Sequence, residues 1–269
     1  MDHDRGGLHR EYGSSGGPTI AVDGAGNVHV AWYDYTNYGG SGTDWDIFYK
    51  RWNATSSTWT TTEVVSTEST NGSQGPTIAV DSAGNVHVAW EDSTDYDGSG
   101  ADIDMFYKRW NATSSTWTTI EVVSTESDWS SLHPMIVEIM MDGAGNAHLA
   151  WGEYTDYGGS GADIDIFYRR WNVNSSTWTT IEVVSTESTG DSYRPTIAVD
   201  GAGNVYVAWG DSTDYDCSGA DSDIFYKRLV ELPSDPSEQF DMAIIITASI
   251  IGGIGLAIAI TIILIRKRK

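Results

Sequence analysis

The sequence predicts an all-β protein of the β-propeller repeat type: four four-stranded blades, the last lacking its own fourth strand, followed by one C-terminal transmembrane helix. Two observations carry the blades. A phrase close to PTIAVDGAGNVHVAW opens at Pro18, Pro76, Pro134 and Pro195, at spacings of 58, 58 and 61 residues. Inside the unit the register is fixed, since Trp32, Trp90 and Trp151 each precede a second tryptophan by 20 residues and a third by 27. Self-similarity at one period is the mark of a repeat architecture. A third observation carries the helix, the uncharged 24-residue run from Met242 to Ile265.

Within the first unit, PTIAV, NVHVAW, DIFYKRW and STWTTTEVV are short runs rich in Val, Ile, Thr and aromatics, separated by turn residues. Such runs read as strands, and DGAGN between the first two reads as a tight hairpin turn with glycines available for positive φ. Four antiparallel strands in about 58 residues make one propeller blade. Large side chains on both faces of a strand, Phe48 and Trp52 on one and Ile47 and Tyr49 on the other, suit a sheet sandwiched between neighbours. The units run 18–75, 76–133, 134–194 and 195–229, the surplus three residues being assigned to the first strand of the third copy. Residues 1–17 stand where a preceding fourth strand would fall, either as a partial repeat or as a disordered N-terminus. The repeats are therefore either a complete domain or part of a larger propeller.

The repeated PTIAVDGAGNVHVAW, DIFYKRW and STW segments are similar to the bacterial-neuraminidase-repeat, or Asp-box, propellers, the family that includes sialidases. The resemblance covers Pro18 to Leu229. In that family the turn between third and fourth strands usually reads SxDxGxTW, whereas WNATSSTW and WNVNSSTW keep only the closing Thr-Trp. The resemblance implies that the second-to-third and fourth-to-next-first connections share a ligand-bearing face. Sialidase-type catalysis would need an arginine cluster, a tyrosine nucleophile with a glutamate partner and an acid/base aspartate. Arg51, Arg109, Arg170 and Arg228 repeat at a strand end, which leaves mainly Arg194 on that face.

Composition narrows the partners. The net charge is −23, and four of the fifteen basic residues are the last four, leaving 11 Lys and Arg against 38 Asp and Glu before them. So acidic a surface repels nucleic acid and anionic lipid. Cys217 is the single cysteine, which excludes an intrachain disulfide. After the linker 230–241, the run 242–265 at about 1.5 Å per residue exceeds the roughly 30 Å hydrocarbon core. The basic tail 266–269 then faces the cytoplasm by the positive-inside rule, with the large domain outside. MDHDRGGLHREYGSSGG has no apolar core of the kind a secretory signal needs, so a start further upstream is the expectation.

The acidic connections hold the chain's most concentrated chemistry. Asp92, Asp95, Asp97, Asp102 and Asp104 in the second, and Asp211, Asp214, Asp216, Asp221 and Asp223 in the fourth, are candidate calcium ligands, with a solvated hairpin as the alternative. Trp45 and Trp129 depart from the repeat in or beside face loops, and with His133, Tyr193 and Arg194 they are candidate ligand-binding residues. Asn53, Asn71, Asn111 and Asn174 open possible glycosylation sequons. His29, His87 and His148 share one strand position that Tyr206 takes in the fourth copy, which argues for packing over a metal ring. The expectation is a membrane-anchored, cell-surface propeller for recognition or adhesion of a glycan or protein ligand, non-catalytic, with room for a homo-oligomer. The alternatives are a sialidase-like glycoside hydrolase and a structural cell-envelope repeat protein.

Overall fold

The computed structural model describes residues 14–100, 102–125, 135–161, 163–214, 222–229, 241–250 and 256–265. The chain divides into two compact units, residues 1–229 and 230–269.

The first unit is four antiparallel sheets in series, one per repeat. Blade 1 comprises β1 (Ser15–Val22), β2 (Val28–Asp34), β3 (Asp46–Asn53), β4 (Thr58–Trp59) and β5 (Glu63–Val64). Blade 2 comprises β6 (Ser73–Val80), β7 (Val86–Asp92), β8 (Asp104–Asn111), β9 (Thr116–Trp117) and β10 (Glu121–Val122). Blade 3 comprises β11 (Met135–Met141), β12 (Ala147–Tyr154), β13 (Ile164–Asn172), β14 (Thr177–Trp178) and β15 (Glu182–Val183). Blade 4 comprises β16 (Ser192–Val199), β17 (Val205–Asp211) and β18 (Asp223–Leu229). The first strands β1, β6, β11 and β16 are neighbours in that order, so the sheets radiate from a row of innermost strands.

The expected fourth strand is split in two, and a threonine does the splitting. The Arg51 amide donates to Thr60 Oγ1 at 3.0 Å where a ladder carbonyl would accept, and Thr118 and Thr179 receive Arg109 and Arg170 in the same way. Each first hairpin is closed by its aspartate. Asp23 Oδ1 accepts the amides of Ala25 and Asn27, Oδ2 accepts Asn27 Nδ2, and Gly26 turns the chain at φ 82°. Asn27 Oδ1 in turn accepts the Ala54 amide, tying this turn to the next hairpin on the same edge. Asp81, Asp142 and Asp200 repeat the arrangement.

The three surplus residues lie ahead of the third copy's first strand, not inside it. Glu138 pairs with Ala150 as Thr77 pairs with Ala89, so Val137 is the counterpart of Pro76 and Pro134 is not. The insertion therefore falls between Ser124 and Val137, where a connection absorbs length without disturbing the pleat.

Blades pack face to face through apolar layers. Ala31, Ile47, Tyr49 and Val65 of blade 1 meet Ile78, Val88, Trp90 and Phe106 of blade 2. Equivalent layers join blade 2 to 3 and blade 3 to 4. Charged side chains cross the seams as well: Lys108 Nζ donates to the Val65 carbonyl at 3.0 Å and pairs with Glu68 at 2.6 Å, and Arg109 lies 4.7 Å over the Trp171 ring. The histidines sit within this packing. His87 Nδ1 meets Tyr107 Oη at 2.7 Å and its Nε2 meets Asp81 at 3.4 Å, so both ring nitrogens face protein partners. Burial holds His87 below its ordinary pKa against the pull of Asp81. The fourth copy's tyrosine is explained directly, because Tyr206 Oη reaches Asp200 Oδ2 at 2.8 Å without an intermediary.

In the second unit, β19 (Asp241–Ile250) and β20 (Leu256–Ile265) pair antiparallel, from Asp241 with Ile265 to Ile250 with Leu256. Strands thus stand where a helix is expected over 242–265, in a run whose β-branched Ile and Thr suit an extended backbone. No helix among the described residues is long and apolar enough to cross a membrane.

Candidate functional site

Where they are described, the fourth-to-first and second-to-third connections are bonded together at the end of the blades away from the Asp-closed hairpins: the Thr70 and Asn71 amides donate to Thr94 Oγ1, and the Thr189 amide to Thr213 Oγ1. The base of each acidic connection is a cross-strand aspartate pair, Asp34 with Asp46, Asp92 with Asp104 and Asp211 with Asp223, with Glu153 opposite Asp165 in blade 3. The second-strand acid is well supplied with donors. Asp92 Oδ2 accepts Ser73 Oγ at 2.6 Å and Trp90 Nε1 at 2.9 Å, also bonds Ser69 Oγ, and its Oδ1 accepts the Thr94 amide. Asp211 repeats this with Ser192, Trp209 and Thr213, and those bonds hold its pKa low although burial pushes the other way.

The third-strand acid is treated differently. Asp46, Asp104 and Asp165 each accept a serine hydroxyl from the last segment of their blade, Ser66, Ser124 and Ser185, and a second serine of the connection, Ser41, Ser99 and Ser160, stands against the same carboxyl. Burial raises all three pKa values, that of Asp104 to about 6, helped by the nearby charges of Asp102 and Asp92. Burial without enough donors thus raises these carboxyls, whereas the donors around Asp211 outweigh its burial.

The residues at the blade 1 and blade 2 bulges carry the most distinctive chemistry. The innermost strands bulge at Gly17 and Gly75, both with positive φ. Tyr33 covers the first bulge, so close that a Cβ on Gly17 would meet its ring at 2.7 Å, and Pro76 Cδ lies 3.8 Å from the same point. Glu91, at the equivalent position of the next blade, covers the second, with its Oε1 3.4 Å from a Cβ on Gly75. Burial alone pushes the Glu91 carboxyl up to about 7. Beside Tyr33 stands Trp45, edge-on to it at 5.1 Å and edge-on to exposed Tyr35 at 5.4 Å, with Gly72 alongside, where a Cβ would lie 3.8 Å from Trp45 Cδ1. Three aromatic rings and a neutral-pH carboxylic acid therefore share the upper edge where blades 1 and 2 meet.

Of the sequence candidates, Trp45 belongs to this group. Tyr193 and Arg194 occupy the corresponding bulge of blade 4, where Tyr193 fills the space over Gly210 and bonds Ser222 Oγ. Arg194 takes a φ of 53° where blades 1 and 2 have glycine, a strained backbone of the kind held at functional positions. Trp129 and His133 lie outside the described residues, as do Asp216 and Asp221. In the second acidic connection, Asp92, Asp102 and Asp104 are buried at the base, whereas Asp95 accepts the Gly100 amide and Asp97 turns the tip at φ 55°. Asp214 is exposed in the fourth. Among the described residues no group of three or more His, Cys, Asp or Glu side chains is arranged to hold a metal ion. Asn53 and Asn111 cap their hairpins by accepting two backbone amides each, Asn174 is exposed beside a third such hairpin, and Asn71 donates Nδ2 to the Ser93 carbonyl.

Sequence reasoning missed Glu91, Tyr33 and Tyr35. The signal was a column of the repeat: Tyr33, Glu91, Gly152 and Gly210 are equivalent, and a position that changes from blade to blade amid fixed neighbours is one the fold does not dictate.

No protein-family model matches the sequence, and no curated protein is significantly similar to it. Solved structures of similar fold exist. A protein of unknown function from Dyadobacter fermentans matches with a TM-score of 0.53 at 11% identity, over 74% of this chain and 63% of that one. An alpha-L-arabinanase from Penicillium chrysogenum matches with 0.49 at 10%, over 81% and 62%, and a B. megaterium levansucrase with 0.47 at 9%, over 88% and 75%. The chain thus spans less than two thirds of the first two structures. The similar structures are mostly glycoside hydrolases, with a fucose lectin from Kordia zhangzhouensis also present. That finding corrects the expectation of a non-catalytic recognition or adhesion propeller. At these identities the likeness establishes architecture, and with the radiating sheets it shows this chain to have a propeller-type fold.

Proposed function

We propose that the chain is a carbohydrate-active propeller of the glycoside hydrolase class, binding sugar at the upper edge of blades 1 and 2. The observation that carries this reading is Glu91, a half-buried carboxyl on β7, paired with Gln74 of the innermost strand and pushed by burial up to about 7, at the same end of the blades as a partly exposed aromatic group. Glycosidic cleavage needs an acid that still holds its proton at working pH, and burial raises a carboxyl to that range. Flat apolar rings such as Trp45 and Tyr35 offer the stacking surface a sugar ring takes, with their polar ends left for its hydroxyls. Glu91 donates a proton to the leaving oxygen, and an ionised carboxylate of the same face acts as base or nucleophile.

A panel of aryl glycosides, pentosides, hexosides, fructosides and sialosides, tests the reading with purified full-length protein. Release from at least one class is expected. No release from any member overturns it.

The Asp-box relationship and the membrane anchor belong to the same proposal. The closing Thr-Trp of each hairpin supports the first, and the 24 uncharged residues followed by Arg266 to Lys269 support the second. Protease applied to intact cells should remove the large unit and spare a small C-terminal fragment. Protection of the large unit until the membrane is permeabilised contradicts an outward orientation.

A further inference from the structure

The aromatic group at the top of blade 1 and the charges around it select which kind of sugar can stay there. The rings stand at steep angles, 77° between Tyr33 and Trp45 and 66° between Tyr35 and Trp45, so they wall a corner instead of stacking shut. Tyr35 is exposed, and the other two side chains are partly so. The fold does not require this group. Ile103, Ile164 and Ser222 take the place of Trp45 in the other copies, and Glu91, Gly152 and Gly210 take that of Tyr33.

The charges beside these rings are of one sign. Asp44 and Asp46 flank Trp45 in the chain, and Asp44 and Asp92 lie close enough to Asp46 for their charges to act on it. Blade 2 brings Asp92 there directly: the Ser73 amide donates to the Trp45 carbonyl at 2.7 Å, and the Ser73 hydroxyl donates to Asp92 Oδ2 at 2.6 Å. The connections that surround the rings, 33–47, 62–76 and 91–105, hold Asp and Glu but no Lys or Arg. Lys108 reaches one of them from β8, and its ammonium is held there by Glu68, Thr67 and the Val65 carbonyl.

An ammonium group is attracted by the faces of aromatic rings and by a carboxylate field, whereas an anionic substituent is repelled by both. A neutral sugar gains from the rings alone. We propose, on the carbohydrate-binding reading above, that the ligand of this corner is a glycan of amino sugars whose amines are free and protonated. Its sugar ring lies against Trp45 and Tyr35, and its ammonium sits in the field of Asp44, Asp46 and Asp92. Charge complementarity fixes this class over uronates and sialates, which carry the sign the surrounding connections already have.

Calorimetry on full-length protein in mild detergent tests this with tetramers of glucosamine, of N-acetylglucosamine and of galacturonate. The buffer is low in salt and slightly acid, so that the amine keeps its proton. The glucosamine tetramer should bind roughly tenfold tighter than the acetylated one, with galacturonate weaker still. Added salt should shrink the advantage by screening the carboxylates, and Asp44→Asn should narrow it severalfold. Trp45→Ile installs the residue that blades 2 and 3 carry there, so it keeps the fold, and it should abolish binding of the glucosamine tetramer. A Trp45→Ile chain that binds this tetramer as the wild type does is attracting it to the acidic surface at large, which overturns the proposal. It is also overturned by an acetylated or galacturonate tetramer that binds as tightly as the cationic one, by an advantage indifferent to salt, and by no binding of any of the three. Turnover does not enter this measurement. Binding of the glucosamine tetramer with no release from any aryl glycoside therefore contradicts the hydrolase reading alone, and hydrolysis of neutral or anionic glycosides with no preference for the amine contradicts the amino-sugar assignment alone.

Discussion

Glu91→Gln is expected to lower glycoside hydrolysis by roughly 10²- to 10⁴-fold while leaving KM and the melting temperature close to wild type. The amide keeps the shape of the side chain against Gly75 but has no acidic proton to give to the leaving oxygen. It is also neutral, as the carboxyl is over most of the range below its pKa of about 7, so the fold gains and loses little. Substrates whose leaving group departs without protonation, such as dinitrophenyl glycosides, should be far less affected. Steady-state kinetics on paired activated and unactivated substrates measures the contrast. Equal loss on both would assign Glu91 to binding or structure instead of proton donation.

The largest stability effect is expected at the blade seams. Trp151→Ala should cost about 3–5 kcal/mol, the usual range for deleting a fully buried aromatic whose cavity cannot collapse. Trp151 is completely buried in the layer joining blades 2 and 3, stacks on Phe167 at 5.9 Å and donates Nε1 to Glu153 at 2.8 Å. Its removal empties the seam and takes a donor from a buried carboxylate as well. Trp59→Ala deletes the same side chain at a site 37% exposed, where no closed cavity is left behind, and should cost only about 2 kcal/mol. Urea unfolding of the two variants side by side gives the comparison, and equal costs would contradict the assignment of the seams as the core.

Much of the architecture was legible because tandem copying prints the same strand four times. The tryptophan register fixed which residues share a face, and Ile47, Tyr49 and Phe48 are buried as a sandwiched sheet requires. The split of the fourth strand was not legible, since it rests on one hydroxyl, Thr60 Oγ1, replacing one ladder acceptor. The position of the three extra residues was misplaced because Pro134 imitates the repeat's proline, and only the pairing of Glu138 with Ala150 reveals the true register. The run 242–265 has the length of a spanning helix and the β-branched composition of strands, so composition and length point in different directions.

The candidate site was legible in part for a related reason. Trp45 stood out because it breaks the repeat. Glu91 did not, because it was one of six acids in a single stretch, and nothing in the sequence says which of them lies against a glycine bulge with no donor to offset its burial. Carboxylate chemistry is set by surroundings: Asp92 receives four donors, Asp104 is pushed up to about 6 by burial despite Ser99 and Ser124, and Glu91 is raised by burial alone.

The pH dependence of kcat/KM on an unactivated glycoside tests the central claim most directly. A general acid works only while protonated, and burial raises Glu91 from 4.5 to about 7, so its proton is present below that value and lost above it. The predicted profile holds its rate up to about pH 7 and then falls tenfold per unit, and this limb disappears in Glu91→Gln. A rate that stays level from pH 6 to 9, or a falling limb that Glu91→Gln retains, contradicts the assignment of Glu91 as the proton donor of a carbohydrate-cleaving propeller.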